Sequence, residues 1–304
     1  MSSAFLETIY SFIPKDNVLL DEPMSKHTTF RVGGEARYFI QIETGQQIAK
    51  LVKYLKQVDR NFLIVGNGSN LLICDNGYDG VVLQLGETFS NVTVSGNEIT
   101  ASAGASLAKI SKVAMDHGLT GLEFASGIPG TIGGAAVMNA GAYDGEMKNV
   151  ITKVVVTDYE GNILELDNAT MEYGYRSSII RNKPFVVLEV TMKLQSGAVS
   201  EIQEKMENFT ALRKEKQPLE FPSAGSTFKR PQGNFAGKLI MDAGLRGFQI
   251  GGARVSEKHC GFVINTGNAT ASDIYEIICE IKLNVKEKFG VELEPEVVFI
   301  GDFE

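Results

Sequence analysis

The chain has 304 residues, more than one typical hydrophobic core supports, so about two or three domains are expected. A formal charge of −8 disfavours nucleic acid and anionic membranes over most of the surface, and an anionic ligand would need a local basic cluster. No apolar segment approaches the roughly 20 residues that span a bilayer, and residues 1–10 lack the basic start and apolar stretch of an export signal. Cys74, Cys260 and Cys279 are odd in number and form no C-x-x-C, which argues against a disulfide framework or a zinc site. The expected location is the cytoplasm, with no metal and no obligate protein partner.

In chain order, Thr44-x-x-Gln47 reads as a capping box for a helix whose Ile48, Leu51, Val52 and Leu55 share a face. Phe62-Leu63-Ile64-Val65 is strand-like and runs into Gly66-Asn67-Gly68-Ser69-Asn70 before a second apolar run, Leu71-Leu72-Ile73. This is not G-x-G-x-x-G, because Leu71 holds the sixth position and no amphipathic helix follows, so an ordinary Rossmann domain is disfavoured. Residues 91–103 alternate like a hairpin around Ser95-Gly96-Asn97, and residues 106–117 read as a helix ended by Gly118. Residues 124–145 read FASGIPGTIGGAAVMNAGAYDG, a run whose glycines leave backbone N–H groups free to approach a phosphate chain. A series of tight turns is the alternative reading of that run.

Strands return over 153–158, 163–166 and 184–194, the first two flanking a Tyr159-Glu160-Gly161-Asn162 turn. Residues 200–216 form a charged amphipathic helix, which Pro218 and Pro222 stop, and a domain boundary falls near 200. Ala236, Leu239, Ile240 and Ala243 mark a short helix closed by Gly244, and Thr270-x-x-Asp273 caps a longer one carrying Ile274, Ile277, Ile278, Ile281 and Val285. Strand-like runs cover 261–265 and 291–300. Arg213, Lys214, Lys216, Lys229, Arg230, Lys238, Arg246, Arg254 and Lys258 give this third of the chain the basic cluster that a diphosphate ligand requires, although half of them would serve equally as solvated helix faces.

The two loops, with Thr28-Thr29-Phe30-Arg31-Val32-Gly33-Gly34 upstream, resemble the FAD cradle of vanillyl-alcohol-oxidase (PCMH)-type flavoproteins. The ordered motifs TTFRVGG, VGNGSNLL, GIPGTIGGAAVMNAGAYDGE, YGYRSS, AGSTFKRP and LEPEVVFIG, spanning about residues 20–302, resemble the UDP-N-acetylenolpyruvoylglucosamine reductase (UDP-N-acetylmuramate dehydrogenase) family. The resemblance implies an α+β fold: a two-part FAD-binding region, residues 1–88 and 89–200, followed by a smaller α+β substrate-binding domain, 201–304. It implies FAD contacts at Gly66, Asn67, Gly68, Ser69, Asn70, Leu71, Gly127, Ile128, Pro129, Gly130, Gly133, Gly134, Asn139 and Ala140. It also implies NADPH as hydride donor and UDP-N-acetylglucosamine enolpyruvate as the substrate reduced to UDP-N-acetylmuramate.

In that family, hydride passes from flavin N5 to the enolpyruvyl β-carbon, charge develops on the α-carbon and its carboxylate, and one proton is supplied. The stabilising arginine and glutamate match Arg176 and Glu296. A guanidinium can hold both oxygens of a carboxylate that gains charge, whereas Glu296 helps only if protonated or paired. Without the family, these two read equally well as a structural salt bridge. The proton donor matches Ser226, which taken alone reads as a turn or capping serine. Tyr175, Lys216, Arg230 and His259 fall at or near positions that touch the sugar nucleotide.

The chain lacks the long insertion that helps close over substrate in the longer enzyme and so resembles the short (type II) form. His27 precedes Thr28-Thr29 where asparagine is common. Neither cradle loop contains histidine or cysteine, so FAD is expected to be non-covalent. Three other readings are weaker: a hydroxy-acid or sugar oxidase on the same cradle, which would need a base near the flavin; a hydrolase built on Gly104-Ala105-Ser106-Leu107-Ala108, which lacks the final glycine of G-x-S-x-G; and a sugar-nucleotide binding protein without catalysis.

Overall fold

A computed structural model describes residues 2–303, and the chain packs as two units that are discontinuous in sequence. One comprises residues 1–20, 38–67 and 80–211, and the other comprises 21–37, 68–79 and 212–304.

The first unit opens with helix α1, Ser2–Tyr10, and carries α2, Gly45–Gln57. The Thr44 hydroxyl accepts from Gln47 N while the Gln47 side chain accepts from Thr44 N, the reciprocal arrangement that the sequence predicts, and Ile48, Leu51, Val52 and Leu55 are buried. Strand Phe62–Val65 lies parallel to strand Tyr78–Gln84, in register from Phe62 opposite Val81 to Val65 opposite Gln84. A five-stranded antiparallel sheet follows, in the order Ile163–Asp167, Ile151–Asp158, Phe185–Lys193, Glu98–Ser102, Val92–Ser95. Its outer hairpins turn where the sequence places them. Helix α3, Leu107–Asp116, starts at Ser106, whose hydroxyl accepts from Lys109 N. Ser106 is thus an N-cap, and the nucleophile-elbow reading has no support from its position.

Residues 132–138 depart from expectation. They form α4, Ile132–Met138, inside the glycine-rich run that the sequence reads as a cofactor cradle or a series of tight turns, although Gly133 and Gly134 are poor helix formers. Packing overrides propensity. A Cβ on Gly133 would lie 2.8 Å from the Ala103 Cβ, and the Gly133 N–H donates to Ala103 O at 2.9 Å, so only glycine lets this helix approach so closely. The core of the unit runs from Ile9 through Leu194 and joins α2, α3 and α4 to the buried faces of the strands.

The last helix to begin in this unit is α5, Val199–Lys216. It is less amphipathic than expected, with Ile202 its one buried residue among those described.

In the second unit, an antiparallel three-stranded sheet, Gln249–Ile250, Ala253–Val255, Val263–Asn265, is covered by α7, Ala271–Phe289, with α6, Ala236–Asp242, against α7. Ile274, Ile277, Ile278, Ile281 and Val285 are buried, as their spacing predicts. The strand expected over 291–300 is confined to Val298–Ile300, which pairs in parallel with Leu71–Ile73. Phe30, Val32 and Leu72 belong to this core, which is why residues 21–37 and 68–79 leave the N-terminal third and fold with the C-terminal one. Among the described residues, no helix is long and apolar enough to cross a membrane, and no group of three or more His, Cys, Asp or Glu side chains could hold a metal ion.

Candidate active site

The loop after strand Phe62–Val65 turns sharply. Gly68 has φ +57, and a Cβ there would lie 2.1 Å from the His27 carbonyl oxygen, so the loop rests directly on the backbone of the TTFRVGG segment. Thr29 N donates to Gly68 O at 3.3 Å. Among the described residues, the amides of Gly66, Asn67, Gly68, Ser69 and Asn70 have no acceptor, a run of five N–H groups with no use inside the protein. The Thr29 hydroxyl is buried and equally without a partner. A run of donors without a protein acceptor, set beside a buried orphaned hydroxyl, suits a ligand rich in acceptors.

The second glycine-rich segment behaves differently. The amides of Ile132, Gly133 and Gly134 donate to Ala105 O, Ala103 O and the Thr131 hydroxyl. The N-terminus of α4 therefore spends these donors internally. Gly127 keeps an unpaired amide and is exposed, whereas Ile128 and Gly130 donate to Ala125 O and Ile128 O; Pro129 has no N–H and is exposed. Gly66 serves packing as well, because a Cβ there would meet the Thr131 hydroxyl at 2.4 Å. Asn139 is fully buried at the left-handed end of α4, with φ +43. Its side chain donates to Glu146 Oε2 at 2.7 Å and to Gly174 O at 3.0 Å and accepts from Lys148 N at 2.9 Å. These bonds use both of its N–H groups, and the following Ala140 N–H bonds Ala135 O.

Tyr175 and Arg176 form the corner of a two-residue turn closed by reciprocal Gly174 and Ser177 backbone hydrogen bonds. Arg176 sits at φ +54, a left-handed conformation that costs a non-glycine residue about 1–2 kcal/mol. Its guanidinium donates to Gly141 O at 3.3 Å and lies 5.1 Å from the centre of the exposed Tyr175 ring. The preceding Tyr173 has a buried hydroxyl without a hydrogen-bond partner, and burial pushes that phenol well above its usual range.

In the second unit, residues 226–229 lie along residues 294–296. Glu296 N donates to Thr227 O at 2.8 Å, Lys229 N donates to Glu294 O at 2.9 Å, and Phe228 bridges Pro295. Thr227 is buried; its N–H donates to Gly261 O and its hydroxyl accepts from Val263 N, so the backbone beside Ser226 is fixed. Ser226 is exposed, and among the described residues its hydroxyl has no hydrogen-bond partner, which removes the capping-serine reading. Asn70 joins the same framework, its side chain donating to Glu296 O at 3.0 Å and its carbonyl accepting from Val298 N, while Leu71 opens the paired strand. Ser226 and Glu296 are brought together.

His259 is half-buried. Its Nδ1 accepts from Gly261 N at 3.1 Å, which leaves Nε2 as the donor, and burial lowers its pKa below the usual histidine value. Arg230 stacks on the exposed Phe235 ring at 4.1 Å. The expected basic cluster is thinner than the sequence suggests. Lys229 pairs with Glu294, Lys238 with Asp242 and Arg254 with Glu257; Lys258 donates to Lys214 O, and Arg246 to Glu257 O. Lys216, exposed at the end of α5, has no carboxylate partner among the described residues. His27, which stands in the place of an asparagine, is bound to Glu22 at 3.0 Å.

Residues 217–300 match the model of the UDP-N-acetylenolpyruvoylglucosamine reductase C-terminal domain, and residues 36–167 match an FAD binding domain. The UDP-N-acetylenolpyruvoylglucosamine reductase of Caldanaerobacter subterraneus subsp. tengcongensis is 51% identical over 99% of this chain and 100% of its own length. The chain belongs to the UDP-N-acetylenolpyruvoylglucosamine reductase family. The Clostridium perfringens reductase is 49% identical over 98% of this chain and 97% of its own. The crystal structure of the Thermus caldophilus reductase superposes with a TM-score of 0.80 at 32% identity, covering 93% of this chain and 98% of that one.

As a member of this family, the protein is a flavin-dependent oxidoreductase of peptidoglycan synthesis, with FAD as cofactor and NADPH as the family's reductant. The fold is the expected α+β one, a PCMH-type FAD-binding region with a smaller C-terminal α+β domain. The residues present fit a dinucleotide: the unpaired amides of residues 66–70 and the orphaned Thr29 hydroxyl supply donors in the pattern that a diphosphate requires. Thr29 was not singled out in the sequence, and only its burial without a partner reveals it.

Proposed function

We propose that this enzyme reduces UDP-N-acetylglucosamine enolpyruvate to UDP-N-acetylmuramate with electrons from NADPH, holding FAD non-covalently and working in the cytoplasm on small molecules alone. Residues 66–71, 127–130, 133–134 and Ala140 make up the flavin region, the Asn139 carboxamide being spent on Glu146, Gly174 O and Lys148 N, and residues 201–304 supply most of the sugar-nucleotide contacts. When bound, the flavin supplies the hydride that adds to the β-carbon of the enolpyruvyl group.

The remaining work belongs to side chains. Arg176 neutralises the carboxylate as negative charge develops beside it, with a fork of donors that does not lose its own proton. Glu296, protonated or paired, steadies the same charge. Ser226 delivers a proton to the α-carbon, so that the double bond takes up one hydride and one proton. A serine hydroxyl is a weak acid, yet against a carbanion-like centre a fixed position and a nearby cation suffice, and Lys216 is the cation proposed. Tyr175, Arg230 and the Nε2–H of His259 contact the sugar nucleotide.

One observation carries the assignment of roles: the Glu296 N–H bonds Thr227 O at 2.8 Å beside an exposed, unpartnered Ser226 hydroxyl. The test is an anaerobic visible spectrum taken before NADPH, after it, and after UDP-N-acetylglucosamine enolpyruvate. Bleaching followed by recovery with that substrate is expected. Bleaching without recovery overturns the substrate assignment, and rapid bleaching by an alcohol or hydroxy acid in place of NADPH favours an oxidase.

A further inference from the structure

Arg176 occupies a strained backbone conformation on a two-residue turn, and strain of this kind persists only where neighbouring groups over-determine it. The neighbouring groups are specific. The Gly174 carbonyl, at the first corner of the turn, accepts from Asn139 Nδ2 at 3.0 Å. Ser178, buried just past the turn, donates through its hydroxyl to Val137 O at 2.8 Å. The guanidinium itself donates to Gly141 O, and Arg181 Nη1 donates to Arg176 O at 3.1 Å. Val137, Asn139 and Gly141 lie within five residues of one another, at the end of α4 and just beyond it.

Asn139 is the hub. Its remaining bonds, to Glu146 Oε2 and from Lys148 N, tie it to the hairpin that follows α4, so its side chain cannot rotate without breaking three hydrogen bonds. From this geometry we infer that Asn139 is a positioning residue for Arg176: its carboxamide fixes the Gly174–Ser177 turn so that the guanidinium is held in place before substrate arrives, and its side chain is not a flavin ligand. This rests on the role given to Arg176 above. A misplacement of about 1 Å at a catalytic group costs on the order of 100-fold in rate, which makes such a device worth building.

The test uses holoenzyme in anaerobic stopped flow, with flavin absorbance reporting bleaching by NADPH and recovery with UDP-N-acetylglucosamine enolpyruvate as separate phases. Asn139→Gly keeps the left-handed backbone without strain and removes the side chain with its three hydrogen bonds. Its bleaching rate is expected within about threefold of the parent, and its recovery slowed about 10- to 100-fold. Arg176→Lys should slow recovery at least as much, and the double variant should be no slower than Arg176→Lys alone, because the two act as a unit. Losses that multiply in the double variant, or an Asn139→Gly enzyme with normal recovery, overturn the inference. If Arg176→Lys leaves recovery unchanged, the reading of Arg176 fails instead. A folded Asn139→Gly protein that does not retain FAD makes the side chain a flavin ligand and overturns the inference. If Asn139→Gly fails to fold, Ser178→Ala cuts the second tether of the same turn; it should slow recovery without affecting bleaching, and normal recovery then overturns the inference.

Discussion

Replacing Gly68 with alanine separates backbone strain from steric fit in the amide loop. Two costs add. A left-handed φ of +57 costs an alanine about 1–2 kcal/mol. The new Cβ would lie 2.1 Å from His27 O and 3.0 Å from the Thr28 Cα, against backbone that cannot rotate away. Ordinary contact is about 3.5 Å, so the loop and the 27–29 segment must part by more than about 1 Å. Overpacking of this kind adds about 1–3 kcal/mol, for a total of about 2–5 kcal/mol. The displaced amides lose at least one charge-assisted hydrogen bond to FAD, worth about 1.5–3 kcal/mol, or about 10- to 150-fold in affinity. The control is Gly96→Ala, at the same φ of +57 but with nothing within 4 Å. It pays only the strain and leaves FAD binding unchanged. Thermal unfolding of the apoprotein and titration with FAD measure both quantities. Equal behaviour of the two variants would refute the steric reasoning, and a destabilised Gly68→Ala protein with normal FAD affinity would refute the cradle.

Ser226→Ala should leave bleaching by NADPH near normal and slow recovery with substrate by about 10²- to 10⁴-fold, the usual contribution of a positioned proton donor; equal loss in both phases would assign Ser226 to folding or flavin binding. Burial lowers the His259 pKa, so folded protein binds this proton less readily than unfolded protein. Its contribution to stability is therefore full above the ordinary histidine value and is lost as pH falls from there through the folded value; an NMR titration midpoint at or above about 6.5 would contradict this. Glu123 is buried, which by itself raises its pKa, yet hydrogen bonds from Thr120 Oγ1 and the Gly121 amide outweigh burial and hold it below its usual range. Its contribution is complete above the unfolded value and is lost as pH falls through the folded one, and Glu123→Gln should cost about 1.5–3 kcal/mol by urea unfolding at neutral pH; an unchanged midpoint would deny the carboxylate this role. Acid precipitation should release all the flavin into the supernatant, and colour remaining with the pellet would show covalent attachment.

Much of the local structure was legible because it is decided locally. The capping boxes at Thr44 and Thr270, the N-cap at Ser106, the hairpin at Gly96 and the helix stops at Gly118 and Gly244 need only a few neighbouring residues to be satisfied. The FAD-binding region and the family were legible for a related reason: the motifs that carry them are short runs whose residue types the chemistry restricts. Helix α4 was not legible, because the run reads as a cradle or as tight turns, and only the closeness of Ala103 to Gly133 shows why glycine stands inside a helix there. The glycines of the second loop read alike in sequence, yet most of their amides are spent inside the first unit, and the donors left for a ligand lie chiefly in residues 66–70.

The sequence by itself determined the fold class, the cofactor and the family, together with most helices and their buried faces, since periodicity, capping and glycine placement act over a few residues at a time. Only the tertiary structure decided that residues 21–37 and 68–79 fold with the C-terminal third, because Phe30, Val32 and Leu72 complete a core whose other members lie more than 150 residues further on. It also decided which polar groups remain unpaired. A hydrogen bond between Asn139 and Gly174, or between the Glu296 amide and Thr227, joins segments 35 or more residues apart, and no local pattern in the chain encodes which of its donors such contacts will use.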